Sequence, residues 1–238
     1  MINNPASELT PEQGKRTEQI YQEQRNAHFQ KMDHMFMYLM ATQWVFAVAL
    51  ALFYSPYGWE GKQKVFHIHL YLAFFMGGGI SLFPILLAKF RPGWIGTRHV
   101  IAFTQMLWSA LFIHLTGGRI ETHFHVFVSL AFIAFYFDWP LLVNATLVVV
   151  ADHLLRGFLY PESVYGIINP EWWRFLEHAF WVVFEDIILV WSCFNGVKSM
   201  RENARRQVEV EGLLESNQLK TAALEMTLAE VQTAGKGK

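Results

Sequence analysis

Six apolar runs, each close to the length needed to cross a bilayer, dominate this chain between residues 35 and 195. Roughly 20 apolar residues in a helix span the hydrocarbon core. Inside that core every backbone N–H and C=O must be paired within the protein, which leaves helices or a closed barrel. The runs are continuous and do not alternate, so the sequence predicts an all-α integral membrane bundle of about six transmembrane helices. They are placed at 35–54, 65–88, 97–115, 122–137, 141–158 and 172–195. Hydrophobic residues make up 53% of the chain and charged residues 16%, against about 25% charged in ordinary soluble domains. A net charge of −1 and the lack of a basic tract speak against a nucleic-acid partner.

The charges collect at the two ends, which divides the chain into a cytoplasmic N-terminal segment (1–32), a transmembrane domain (33–197) and a cytoplasmic signalling helix (198–238). Lys15, Arg16, Arg25 and Lys31 precede the first run, and Lys89, Arg91 and Arg98 follow the second. Lys198, Arg201, Arg205 and Arg206 follow the last. Basic residues stay on the cytoplasmic side, so both termini of this multi-pass chain are expected there. Gly77-Gly78-Gly79 and Pro84 within the second run predict close helix packing or a kink. After the last run, Val210, Leu214, Asn217, Thr221, Leu224, Leu228 and Val231 step by alternating four and three residues, which is a heptad seam. The seam predicts a coiled coil with a second copy of the chain, its register fixed by Asn217. The one cysteine, Cys193, excludes an internal disulfide or a thiolate metal cage.

Histidine placement carries the chemistry. Antiparallel spans bring His67 and His69, His114, His123 and His125, His153, and His178 from five helices to one membrane face, the periplasmic one. Ionisable groups are costly inside a membrane unless paired or functional, and imidazole with carboxylate suits zinc, copper or iron. The candidate metal ligands are therefore His67, His69, His114, His123, His125, His153, His178 and the deeper Glu185, for one or two transition-metal ions. Glu121, Asp152, Glu177 and Asp186 are candidates to support them by hydrogen bonds. Residues two apart on a helix point to nearly opposite sides, so His67/His69 and His123/His125 are expected to divide their duties. Arg119 and Arg156 are expected to pair with Glu121 or Asp152.

Three stretches, GRIETHFHVFVSLAFIAFYFDWP (118–140), ADHLLRGFLYPESVYG (151–166) and WRFLEHAFWVVFED (173–186), resemble a group of bacterial sensor regions. These are the multi-span N-terminal regions that precede chemotaxis-receptor, histidine-kinase and diguanylate-cyclase outputs. Phe137 stands where that pattern leads one to expect a basic residue. The resemblance implies a receptor input domain in the bacterial inner membrane, homodimeric, acting on a downstream kinase, cyclase or chemotaxis module rather than being an enzyme itself. Two alternatives stay open: a di-iron oxidoreductase of the membrane hydroxylase type, and a haem held between two histidines.

Overall fold

A computed structural model describes residues 10–235; residues 1–9 and 236–238 of the predicted terminal segments lie outside it. The described residues form seven helical segments rather than the expected six. These are α1 (Pro11–Tyr54), α2 (Ile68–Phe90), α3 (Ile95–Leu115), α4 (Ile120–Ala134), α5 (Pro140–Leu159), α6 (Glu162–Tyr165) and α7 (Arg174–Gly235). The additional one, α6, is a single turn between α5 and α7. A hairpin of β1 (Tyr57–Glu60) and β2 (Gln63–Phe66) joins α1 to α2. It pairs Tyr57 with Phe66 and Glu60 with Gln63, and turns at Gly61, whose φ of 62° suits glycine.

The chain divides into two compact units, 26–196 and the pair 1–25 with 197–238. Among the described residues four helices are long and apolar enough to cross a membrane: Pro11–Tyr54, Ile68–Phe90, Pro140–Leu159 and Arg174–Gln232. The other two long segments differ for separate reasons. α4 has 15 residues. α3 has 21 residues but carries Arg98, Thr104, Gln105 and Ser109, all buried.

α3 is polar because it is central. It packs against α2, α4 and α5, so its side chains meet protein, where polar atoms can be paired. Gln105 Nε2 donates to Ser129 Oγ at 3.0 Å, and Trp108 Nε1 donates to Ser81 Oγ at 3.2 Å. Around it lie Phe36, Met40, Ile101, Leu111, Leu130 and Tyr136, each fully buried. The glycine run does allow close approach: a Cβ at Gly77 would sit 2.9 Å from the Trp108 ring, and one at Gly78 2.8 Å from Trp44. Just before it lies a π-helical turn at Leu72–Met76, a one-residue insertion of the kind at which helices bend.

The end of this unit away from the candidate histidines is tied by a buried polar knot. Asp33 accepts the Gly93 N–H at 2.6 Å and the Tyr136 hydroxyl at 2.7 Å. Arg98 donates to Asp138 at 2.7 Å and to the Gly93 carbonyl at 3.3 Å, while its guanidinium lies 4.1 Å from the Phe29 ring centre.

In the smaller unit Ile20 and Tyr21 of α1 pack on Ala204 and Val208 of α7, with Val197 and Met200 alongside. Arg16 reaches Glu211 at 3.5 Å, and Gln24 donates to Gln207 at 3.2 Å. This pairing reaches Glu211, at the start of the heptad seam, whose Val210, Leu214, Leu224, Leu228 and Val231 are exposed along the single chain.

Candidate functional site

Six of the eight candidate ligands fall into two groups of three at one end of the larger unit. The first comprises His123 of α4, His153 of α5 and His178 of α7. Their ring centres are 5.7 Å (His123–His153), 5.3 Å (His123–His178) and 5.9 Å (His153–His178) apart. Each is anchored in the same way, its Nδ1 meeting the carbonyl four residues earlier. His123 meets Arg119 at 2.9 Å, His153 meets Val149 at 3.1 Å, and His178 meets Arg174 at 3.0 Å. A carbonyl only accepts, so each Nδ1 carries the proton, and in a neutral ring the lone pair lies on Nε2. His123 Nε2 is buried with no hydrogen-bond partner among the described residues. All three rings line a cavity of about 30 Å³ whose other walls include Val126, Val149 and Val182.

These features suit a metal ion. Ligating histidines usually donate their second N–H to a carbonyl or carboxylate, which fixes tautomer and ring orientation. Three imidazoles on a tetrahedral ion at about 2.0–2.1 Å place their centres roughly 5 Å apart, slightly inside the observed spacing. Among the described residues no set of three or more His, Cys, Asp or Glu groups is placed so that it could hold a metal ion as it stands.

Asp152 and Arg156 stand behind this group. Arg156 grips Asp152 with two bonds, 2.7 and 2.6 Å, and Asp152 Oδ2 lies 3.3 Å from His153 Nδ1. Arg156 also donates to Ser163 Oγ at 2.9 Å, and Ser163 Oγ is 2.7 Å from His114 Nδ1. That leads to the second group, where His69 is 4.3 Å from His67 and 5.1 Å from His114 by ring centres. Here the anchoring differs. His67 Nδ1 accepts the His69 backbone N–H at 3.2 Å, and His69 Nδ1 is buried without a partner among the described residues. The expected placement of His67 and His69 on opposite sides does not occur, since their rings are in contact. His67 precedes α2 with extended backbone (φ −66°, ψ 146°) and caps it, so the opposite-face rule for helical neighbours does not apply to it.

That rule does separate His123 from His125. His125 lies apart from both groups, its Nε2 accepting from Gln43 at 3.0 Å and its Nδ1 facing Ser109 Oγ at 2.8 Å and Ser129 Oγ at 3.3 Å. Glu185 does not line the histidine cavity. Its Oε2 and Asp186 Oδ1 are buried and unpartnered among the described residues, while Asp186 Oδ2 accepts from Thr146. Glu121 pairs with Arg119 at 2.9 Å on an exposed surface, and Glu177 is exposed. The expected pairings of Arg119 and Arg156 are both present.

Sequence reasoning passed over Ser163 and Tyr165, which sit on α6 in what read as a loop. Tyr165 places its ring 5.4 Å from His178, and burial raises its hydroxyl above the usual phenol range. Nearby, Glu171 accepts its own backbone N–H and the Arg174 guanidinium, which hold its carboxyl below the usual range.

No family model matches the chain, and no solved structure matches it. It is 31% identical over 117 residues, 47% of its length, to the Transducer protein Htr8 of Halobacterium salinarum. The matched region is 18% of that longer protein, so the likeness concerns one part of a transducer, and this part is what the chain resembles.

Proposed function

We propose that this chain is the input region of a transmembrane signal-transduction receptor, and that it reads its stimulus at a transition-metal ion held by His123, His153 and His178. The observation that carries the reading is the shared anchoring of those rings. Three Nδ1–H groups are spent on carbonyls, so in each neutral ring Nε2 keeps the lone pair, and the three rings line one small, largely apolar cavity. Zinc, copper and iron all suit imidazole. His67, His69 and His114 form the place for a second ion.

Signalling follows from which helices are involved. The three rings belong to α4, α5 and α7, so ligation of one ion fixes these helices against one another. α7 runs on unbroken to Gly235. In this reading α1, α2, α3, α4, α5 and α7 are the six spans of an inner-membrane protein, the histidines face the periplasm, and both termini are cytoplasmic. The exposed seam from Val210 to Val231 pairs with that of a second copy and hands the signal to a kinase, cyclase or chemotaxis module. The similarity to a transducer supports the receptor part of the proposal.

The test is elemental analysis of the detergent-purified protein with an absorption spectrum of the same sample. About one or two zinc, copper or iron ions per chain, the first in a site of three protein ligands plus an open position, is the expected result. A Soret band would move the reading to haem. A protein free of both metal and colour would overturn the metal reading and leave a hydrogen-bonded histidine cluster.

A further inference from the structure

The turn that joins α4 to α5, at the end of the larger unit away from the histidines, contains a backbone outlier. Phe137 has φ of 54°, and among the described residues it is the non-glycine residue with positive φ. Its N–H bonds the Ala134 carbonyl at 2.9 Å and so closes the C-terminus of α4. Glycine is the usual occupant of such a position, because a Cβ there crowds the neighbouring carbonyl. A bulky aromatic ring in that conformation is held by surrounding contacts.

Those contacts fall on two helices. On one side the Phe137 ring stacks on His28 of α1, with centres 5.2 Å apart and planes within 6°. His28 Nε2 is 2.6 Å from the Phe135 carbonyl of the same turn, which fixes the imidazole in place. On the other side the ring covers Gly196 of α7. A Cβ built on Gly196 would collide with Phe137 Cδ1 and Cγ, so only a hydrogen fits there. One turn earlier, Cys193 Sγ faces the Ala134 carbonyl at 3.6 Å. The turn therefore grips α1 and α7 near the points where each leaves the larger unit, at residues 26 and 196.

We infer that Phe137 is a positioning residue that seats α7 and α1 on the sensor bundle, and that a rearrangement of α4 and α5 reaches the emerging helices through its ring. The transmitting role rests on the receptor reading, whereas the seating does not require a stimulus or a metal. The αL backbone ties the ring to the end of α4, and α4 also carries His123. A shift of that helix moves the ring, and a ring wedged on a glycine has no slack to absorb the motion.

The test is hydrogen–deuterium exchange of the full chain in lipid nanodiscs, compared among four variants. Phe137→Gly suits the backbone and removes the ring, so the bundle is kept. Exchange of the α7 amides at 192–198 and the α1 amides near His28 should rise about tenfold, the signature of local opening, with α3 unchanged. Phe137→Tyr should restore wild-type exchange. Gly196→Ala should loosen the same segment, and combining it with Phe137→Gly should give no further increase, since the two positions act through one contact. Unchanged exchange in Phe137→Gly, or effects of Phe137→Gly and Gly196→Ala that add, would overturn the inference. Because the measurement is made without stimulus, its failure is separate from failure of the receptor reading.

Discussion

The two histidine groups look alike in composition and spacing and differ in what their nitrogens are free to do. His123, His153 and His178 each stand four residues after a helix-compatible carbonyl, and each spends Nδ1 on it. His67 and His69 stand at the start of α2, where no such carbonyl precedes them, so one nitrogen caps the helix and another is left buried. In the first group the tautomers agree and the rings are held before any ligand arrives. In the second they would have to be reset. Proximity alone therefore does not define a ligand set; what matters is how the second nitrogen of each ring is employed.

The largest effect that can break this comparison is loss of the ion. Removing a ligand from a three-histidine site should abolish retention through detergent purification, so His123→Ala should empty the first group. His69→Ala should leave that ion in place and remove at most a second one. Elemental analysis of both variants beside the wild type decides between them. If both lose all metal together, the six rings belong to one dinuclear centre and the two groups do not bind separately.

A smaller effect tests the link between the groups. Asp152 lies against His153 Nδ1 and is gripped by Arg156, which holds Ser163 and through it His114. Asp152→Asn preserves shape but removes the charge, and supporting residues of this kind are worth about 10–100-fold in metal affinity. Titration against a competing chelator should show a loss near the lower end, about tenfold, because the Val149 carbonyl still holds the His153 ring. Unchanged affinity would mean that Asp152 serves only Arg156.

How much of this was readable in the chain follows the same division between periodic and local effects. Long apolar runs located every long helix, since burying a backbone in lipid demands continuous helix. The four-residue spacing of Asp152 and Arg156 on one helical face made their pairing readable too. What escaped was local. The four-residue strands of the Tyr57–Phe66 hairpin are too short to show a period, and α6 is a single turn, so Ser163 and Tyr165 read as loop. His67 was treated as helical when it is a cap. The left-handed Phe137 has no sequence signal, because glycine is what such a position ordinarily announces. α3 was located as a helix by its length, and the polar content that keeps it out of the helices apolar enough to cross a membrane reflects its protein neighbours.

The smallest effect concerns His125, two residues from a proposed ligand and counted with the ligands by sequence. Its Nε2 accepts from Gln43 and its Nδ1 faces Ser109 and Ser129, so neither nitrogen is left for an ion. Replacing it with alanine strips partners from groups on α1 and α3, and an orphaned buried polar group costs about 1–3 kcal/mol. His125→Ala should thus lower the thermal unfolding temperature in detergent by several degrees while metal content stays at the wild-type level. His123→Ala should do the reverse in kind, emptying the metal site. Loss of metal from His125→Ala without loss of stability would instead make His125 a ligand, and the hydrogen bonds to Gln43 and Ser109 would then belong to a metal-free resting form of the ring.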